Sequence, residues 1–208
     1  MLWAEEETWK SLGKAYRLMK SMKAGFRTQF VQAAYAECWV ARKLVEAGYD
    51  VRFHEKGCDL SVVLSGANSA LQKVKFEVKH SEDNKEPDKY GHGFASWVIS
   101  RPQVEDEKFD LCVLVRDSLR REEPDAAYVF RRQEIAKTKP VEVNAPKLDY
   151  YLWDSEYFED IIKEDEWMRL AVSPLVGSLH RNPALFQNRW IKILSGGLQS
   201  LMQNNVGE

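Results

Sequence analysis

Three charged side chains stand close to the ends of two apolar segments. Asp59 directly precedes the apolar run 60–64, and Glu77 and Lys79 end the run 74–79. Because successive side chains of a strand alternate between its two faces, we expect Glu77 and Lys79 on one face. If the two segments pair as a hairpin, Asp59 lies beside Glu77. Two carboxylates and an ammonium group then converge on one small volume.

Such a group of charges has a specific use. Two carboxylates held close together repel, and each resists ionisation beside the other. A divalent cation removes this conflict, because Mg²⁺ is held by one or two carboxylates with waters and substrate phosphate oxygens. The ion would polarise a phosphoryl oxygen and lower the pKa of a bound water, which Lys79 would orient. The alternative is a surface hairpin on which Asp59, Glu77 and Lys79 form a salt-bridged cluster.

A long helix is predicted before this hairpin, over residues 26–48. Apolar residues recur there at helical spacing, and Gly48 suits the left-handed position that ends a helix. Glu37 falls close to the apolar stripe, where a carboxylate should be paired, metal-bound or at the rim. At the rim it would pair with Arg42 or Lys43, and this alternative stays open.

Residues 49–53 follow as a short strand. The order is then a helix with an inward Glu37, a strand, a strand that begins with Gly-x-Asp and a strand that ends in Glu-x-Lys. This order resembles the PD-(D/E)XK nuclease superfamily, which has the restriction-endonuclease-like fold and includes restriction enzymes and archaeal Holliday junction resolvases. The resemblance covers roughly residues 26–117. Cys58 stands where the Pro of the family motif is usually written.

The resemblance implies a metal site and a role for each matched residue. Asp59 and Glu77 would bind Mg²⁺, for which Mn²⁺ can substitute, and the backbone carbonyl of Val78 would join them. Lys79 would assist the attacking water. Glu37 would bind a second metal ion or a water on the metal. All four side chains are chemically intact, which favours an active enzyme.

The implied function is a metal-dependent endodeoxyribonuclease that hydrolyses phosphodiester bonds in restriction or defence against foreign DNA. The expected partner is DNA, and the expected assembly is a homodimer, so that both strands are cut. Junction resolution and repair are alternatives within the family. A non-catalytic nucleic-acid-binding protein on the same fold is the alternative of another class.

The segment after the Glu-x-Lys strand is expected to continue this fold. Residues 92–103 are predicted as the second core helix, broken near Pro102, and residues 109–115 as a strand. Some members of the family carry a Gln on this helix near the metal. Gln103 or Ser100 could take that part as a substrate-binding residue. The alternative is a Gln at a helix end that bonds to the backbone.

Two residues directly after Lys79 are assigned by strand alternation. Ser81 shares the face of Lys79 and is expected to contact a substrate phosphate. His80 points away from Lys79 and is not counted as a ligand.

The remaining elements predict an α/β fold with one mixed central sheet, flanked by helices, and additional helices at both termini. Residues 126–131 and 150–153 are predicted strands of that sheet, and residues 133–136 form a short helix. Helices are also predicted over 4–22 and within 157–201.

This organisation divides the chain into a helical extension over 1–25, a nuclease core over 26–155 and a helical elaboration over 156–208. In the last part Asn182 is a plausible N-cap before Pro183. Phe186, Trp190 and Ile193 are expected to face the core.

Composition bounds the class of protein. With 208 residues and 44% hydrophobic residues, the chain is ordinary for a globular protein. The three cysteines lack paired spacing, which argues against a disulfide framework and a zinc module and suits a reducing cytoplasm. Neither a signal peptide nor an apolar run of membrane-spanning length is found, so we expect a cytoplasmic protein without a membrane partner.

The net charge of −2 gives no overall support for binding nucleic acid, but phosphate contacts are local. Two clusters of basic residues could track a phosphate backbone, or could simply be solvated faces. The clusters are Lys10, Lys14, Arg17, Lys20, Lys23 and Arg27, and Arg116, Arg120, Arg121, Arg131 and Arg132.

Overall fold

The computed structural model describes residues 6–21, 27–53, 58–65, 71–82, 95–117, 123–137, 141–144, 147–154 and 183–203. The helices are α1 (Glu6–Ser21), α2 (Arg27–Glu46), α3 (Arg101–Glu105), α4 (Arg132–Ala136), α5 (Pro183–Lys192) and α6 (Leu198–Gln203). The strands are β1 (Asp50–Phe53), β2 (Leu60–Ser65), β3 (Leu71–Glu82), β4 (Ala95–Ser100), β5 (Leu111–Asp117), β6 (Ala126–Arg131), β7 (Val141–Asn144) and β8 (Lys147–Asp154).

The centre of the fold is a five-stranded mixed sheet in the order β1-β2-β3-β5-β6. The first three strands are antiparallel neighbours, β5 runs parallel to β3, and β6 returns antiparallel to β5. Parallel neighbours need a crossover connection, and β4 and α3 lie in the segment that joins β3 to β5. The chain therefore has the mixed α/β fold, with a mixed sheet and flanking helices, that the sequence predicts.

Helices α1 and α2 cover one face of this sheet. Phe76 and Val78 of β3 and Val113 of β5 point to that face and pack in one apolar cluster with Leu44 of α2. Burying each such side chain contributes about 1.5–3 kcal/mol. Trp190 of α5 belongs to the same cluster, so the C-terminal helices are part of the core packing.

The end of α2 follows the sequence prediction. Gly48 adopts a positive φ of 89°. Its N–H donates to the carbonyl of Val45 at 2.9 Å, and the N–H of Tyr49 donates to the carbonyl of Leu44 at 3.1 Å. These two bonds form a Schellman cap, for which a glycine is the favoured residue.

The C-terminal helices also agree with the prediction where they are described. Helix α5 begins at Pro183, whose missing N–H is not needed in a first turn. Phe186, Trp190 and Ile193 are buried, as expected. A break at Gly196, whose φ is 86°, separates α5 from α6. Asn182 and the rest of the tail prediction over 157–182 lie outside the described residues.

The predicted second core helix over 92–103 is wrong. Its described part begins with strand β4, and only the short helix α3 follows. In β4 the side chains of Trp97 and Ile99 are buried, and the strand pairs with β8 along its whole length. Pro102 lies in the first turn of α3, so it starts a helix and does not break one.

The prediction of one sheet for all strands is also wrong. Strand β8, which contains the predicted strand 150–153, lies in a separate three-stranded sheet in the order β4-β8-β7. The indole N–H of Trp97 donates to the backbone carbonyl of Val115 at 3.2 Å, and the Trp97 ring meets Tyr128 of β6 edge to face. The second sheet is thereby fastened to the central sheet on the face opposite α1 and α2.

Cys38, Cys58 and Cys112 are free and buried, in agreement with the prediction that the chain has no disulfide framework. Within the parts of the chain that the structure describes, no helix combines the length and the apolar character needed to cross a bilayer.

Candidate active site

The hairpin of β2 and β3 brings the first two charged residues together. Leu60 pairs with Phe76, so Asp59 stands opposite Glu77 at the next position of the register. The backbone N–H of Asp59 donates to the carbonyl of Phe76 at 3.0 Å. One carboxylate oxygen of Asp59, Oδ2, accepts the N–H of Val78 at 2.8 Å. The predicted convergence of Asp59 on the strand of Glu77 is therefore present.

Glu77 is the centre of the site. Its side chain is 2% exposed, although it is a carboxylate. The Oε1 atom accepts a hydrogen bond from Lys79 Nζ at 2.5 Å and a second from Gln103 Nε2 at 2.6 Å. A buried carboxylate needs such partners, because an unpaired buried charge is strongly unfavourable. Glu77 and Lys79 thus share a face, as alternation along the strand predicts.

Burial and neighbouring charge act on both ionisable groups of this pair. Burial raises the pKa of Glu77, while the Lys79 ammonium opposes that rise and the Asp59 charge adds to it. For Lys79 burial by itself lowers the pKa, but the Glu77 carboxylate and its hydrogen bond hold the pKa above its ordinary value. Lys79 is therefore a protonated ammonium group in the folded protein at neutral pH.

Glu37 of α2 is electrostatically coupled to this pair from a third element. Burial, together with the charges of Asp59 and Glu77, raises the pKa of its carboxyl to about 7, against the opposing effect of Lys79. The charged residues of the hairpin therefore affect the ionisation of the Glu37 carboxyl.

The cations considered as partners of Glu37 at the rim form other ion pairs. Arg42 pairs with Glu46 at 2.6 Å, one turn along α2. Lys43 pairs with Glu123 at 3.0 Å.

Gln103 reaches the site from α3 and forms hydrogen bonds at both ends of its amide, while a substrate contact of Gln103 or Ser100 stays a prediction. Its Nε2 donates to Glu77, while its Oε1 accepts the N–H of Ser100 at 3.3 Å and the hydroxyl of Ser100 at 2.8 Å. One end of the amide therefore bonds at the start of the helix, and the other end holds the buried carboxylate. Ser100 contacts the site only through Gln103 in these bonds.

The other predicted residues lie at the margin. The backbone N–H of Val78 is used by Asp59, and its side chain lies in the core on the helix side of the sheet. Ser81 is opposite Arg116 of β5 in the register, on the face of Lys79. A metal contact of the Val78 carbonyl and a substrate contact of Ser81 stay predictions. His80 points to the helix side, as expected.

Sequence reasoning missed one residue that adjoins the carboxylates. Cys112 of β5 pairs with Glu77 in the register, so the two side chains share a face. Burial raises the pKa of the Cys112 thiol well above its usual range, and the Glu77 charge adds to this. The apolar run 109–115 predicts the strand that carries Cys112. The run does not show which strand it pairs with, so the position beside Glu77 could not be predicted.

The donor set fits a divalent cation held by two carboxylates. Among the described residues, no group of three or more His, Cys, Asp and Glu side chains is arranged so that it could hold a metal ion. Asp59 and Glu77 are hard oxygen ligands on neighbouring positions, and Mg²⁺ commonly takes one or two carboxylates with waters and phosphate oxygens. Burial is the main cause of the raised pKa of Glu37, and the charges of Asp59 and Glu77, which a cation would offset, add to it.

The second basic cluster is used in part for internal contacts. Arg131 donates to the carbonyl of Leu201, and Arg132 donates to the carbonyl of Val104 and pairs with Glu107. Arg120 and Arg121, and three members of the first cluster, Lys20, Lys23 and Arg27, have side chains outside the described part of the structure.

Comparison with known proteins gives little further information. No family model matches the chain, and no curated protein matches its sequence. Among solved structures, the chain is similar to that of a bacterial homing endonuclease at 15% sequence identity and a TM-score of 0.42, over 84% of this chain and 96% of that chain. A likeness at this level carries no argument about activity, so the function is argued from the residues of the site.

Proposed function

We propose that this protein is a Mg²⁺-dependent DNA endonuclease that hydrolyses phosphodiester bonds in restriction or defence against foreign DNA. The observation that carries the proposal is the arrangement of Asp59, Glu77 and Lys79. Asp59 is fastened to the strand that bears the other two, and the buried Glu77 carboxylate contacts the Lys79 ammonium. A surface salt bridge would not need a carboxylate that is only 2% exposed, nor a second hydrogen-bond donor from helix α3.

Each residue has a distinct role in this proposal. Asp59 and Glu77 would hold Mg²⁺, or Mn²⁺ in its place, with the Val78 carbonyl as a further oxygen ligand. Bound there, the ion would polarise a phosphoryl oxygen and lower the pKa of a bound water. Lys79 positions the attacking water and offsets negative charge that develops on the phosphate. Glu37 would bind a second metal ion or a water of the first.

The reaction is an in-line displacement at phosphorus. The water oxygen forms a bond to phosphorus while the bond to the 3′-oxygen breaks. The water loses a proton to solvent, and the leaving oxygen takes one up. The products are a 5′-phosphate and a 3′-hydroxyl, and neither an oxidant nor a further co-reactant is consumed.

The proposed partner is duplex DNA, and the proposed assembly is a homodimer. One site cuts one strand, so a symmetric pair of sites would cut both strands of a duplex. The proposed compartment is the cytoplasm.

The proposal is tested by cleavage of supercoiled plasmid, linear duplex and four-way junction DNA, each with Mg²⁺, Mn²⁺ or EDTA. We expect cutting of plasmid and linear duplex with either metal and none with EDTA. Cutting confined to the junction would replace the restriction role by junction resolution. If folded protein binds DNA and cuts none of the three substrates, the non-catalytic alternative holds.

A further inference from the structure

A second polar cluster lies directly behind the candidate site, on the opposite face of β3. Its centre is His80, whose side chain is 2% exposed. Because His80 follows Lys79 in an extended strand, the two side chains leave the same short piece of backbone in opposite directions. Whatever fixes the imidazole therefore also fixes the backbone from which the Lys79 side chain starts.

The two ring nitrogen atoms of His80 face polar groups from two elements, and one of these nitrogen atoms is hydrogen-bonded. The distance from Gln32 Nε2 of α2 to His80 Nδ1 is 2.6 Å. Since an amide nitrogen only donates, Nδ1 is the acceptor and Nε2 carries the hydrogen. That hydrogen points towards Asp117 of β5, whose Oδ2 lies 3.6 Å from Nε2. This distance is too long for a hydrogen bond, so Nε2 has no hydrogen-bond partner among the described residues.

Two aromatic rings hold the faces and edges of the imidazole. Tyr16 of α1 meets it edge to face at 5.6 Å between centroids, and Tyr35 of α2 does so at 6.1 Å. The two tyrosine rings also stack on each other at 6.2 Å. Edge-to-face aromatic contacts of this kind contribute about 0.5–1.5 kcal/mol each beyond area burial. The ring of His80 is thus held by contacts from α1 and α2.

The same contacts tie α2 to β3 near both catalytic positions. Gln32 lies five residues before Glu37 on α2, and His80 lies one residue after Lys79 on β3. The part-buried hydrogen bond between Gln32 and His80 would oppose sliding of α2 along β3, and with it a change in the distance between the Glu37 carboxyl and the Lys79 ammonium. Apolar packing alone would leave small sliding motions of the helix along the sheet less strongly opposed, because it is not directional.

We propose that His80 is a positioning residue, which holds β3 against α2 through Gln32 and so sets where Lys79 and Glu37 stand relative to Glu77. This rests on the proposed nuclease function only for its effect on rate. The geometric part stands separately, because the Lys79–Glu77 contact exists without any substrate.

The test compares His80→Leu with His80→Asn in the full chain. Leucine removes the acceptor for Gln32, whereas the Asn Oδ1 atom stands close to the position of Nδ1 and can accept the same hydrogen bond. Tyr16→Phe is the matched control, since the Tyr16 hydroxyl is buried and has no hydrogen-bond partner among the described residues. Each variant is measured for the titration of the Lys79 amine by nitrogen NMR, for kcat and KM with plasmid, and for thermal unfolding.

We expect the Lys79 amine of His80→Leu to titrate closer to an ordinary lysine, because its contact with Glu77 is loosened. We expect kcat to fall about 10-fold or more with KM for DNA nearly unchanged, since a misplaced catalytic group can lower a rate by about 100-fold. His80→Asn should recover both the titration and the rate, and Tyr16→Phe should match the wild type.

A folded His80→Leu variant with unchanged Lys79 titration and unchanged kcat overturns the inference. If His80→Leu does not fold, Gln32→Leu is measured in the same way, because it removes the same hydrogen bond from the helix side. If the wild type cuts no DNA, the proposed function fails, and the Lys79 titration alone still decides whether His80 positions this residue.

Discussion

The Oδ2 atom of Asp59 accepts the backbone N–H of Val78 at 2.8 Å. The carboxylate that precedes β2 is therefore fastened to the backbone of the strand that presents Glu77 and Lys79. Because this bond forms without a cation, the hairpin itself sets where the Asp59 carboxylate lies relative to Glu77.

Millimolar Mg²⁺ should stabilise the wild type through Asp59 and Glu77. At a free concentration ten times the dissociation constant, a ligand that binds only the folded state stabilises it by about 1.4 kcal/mol. We expect this stabilisation to be absent in Asp59→Asn, in which the amide oxygen can still accept the Val78 N–H, and in Glu77→Gln. Thermal unfolding with and without Mg²⁺ measures it.

The control for this prediction is Asp50→Asn, at an exposed carboxylate of β1. Asp50→Asn should keep the full Mg²⁺ effect. An equal Mg²⁺ effect in all three variants would mean that the cation binds elsewhere.

Glu37 should make the protein less stable as pH rises from about 4.5 to about 7. Its pKa is about 7 in the folded protein, above the ordinary value of 4.5. Across that window the folded state binds more protons than the unfolded state, so the free energy of unfolding falls with rising pH. After allowance for solvent at this half-buried group, the loss is up to about 2 kcal/mol. Denaturant unfolding at a series of pH values measures it.

Glu37→Gln removes the titrating group and keeps the size of the side chain. Its stability should change less between pH 4.5 and 7 than that of the wild type. If the stability of the two proteins changed with pH in parallel, the pKa of Glu37 would not be raised in the folded protein.

Removing the Gln103 amide should shift the pH dependence of cleavage. The hydrogen bond from Gln103 lowers the pKa of Glu77, so its loss raises that pKa. Gln103→Ala should therefore lose more activity at acid pH than at alkaline pH. The acid limb of the pH–rate profile should shift to higher pH. We expect about a 10-fold loss near neutral pH, because removing a hydrogen bond that orients a metal ligand typically costs about 10- to 100-fold in activity.

Gln72→Ala is the control for Gln103→Ala, because Gln72 is an exposed glutamine on the same strand as Glu77. It should leave the profile in place. A uniform loss in Gln103→Ala at every pH would contradict a role through the ionisation of Glu77.

Tyr49 should stabilise the break between α5 and α6. Its hydroxyl donates to the carbonyl of Ile193 at 2.8 Å and accepts the N–H of Leu198 at 3.2 Å, across the turn at Gly196. Tyr49→Phe leaves both backbone groups without this partner, so we expect a loss of about 1–3 kcal/mol in the free energy of unfolding. Tyr16→Phe, which removes a hydroxyl with no described partner, should lose far less. Equal losses in urea unfolding would contradict this account.

The local part of the site could be predicted from the sequence, and the long-range part could not. The hairpin of β2 and β3 is short in sequence, and its apolar alternation fixes which residues share a face. The strand at 95–100 was missed, although Trp97 and Ile99 are strand-favouring residues. Its partner is β8, about 50 residues away along the chain, and local pattern does not reveal a pairing at that separation.

The same limit explains the neighbours of Glu77. Gln103 was considered as a site residue, but on a helix over 92–103 that does not form. Cys112 was not considered as a neighbour of the site. Both positions depend on the parallel pairing of β3 with β5 and on where α3 starts. Strand β4 lies outside the central sheet for the same reason, because it belongs to the connection between the parallel neighbours β3 and β5.

The most direct test of the central claim compares plasmid cleavage by the wild type, Lys79→Ala and Lys73→Ala at saturating Mg²⁺. Lys73 is exposed on the same strand and serves as the matched lysine. The account predicts Mg²⁺-dependent cutting by the wild type and by Lys73→Ala, and a loss of at least about 100-fold in folded Lys79→Ala. Equal cutting by Lys79→Ala and the wild type would contradict the assignment of this cluster as the active site.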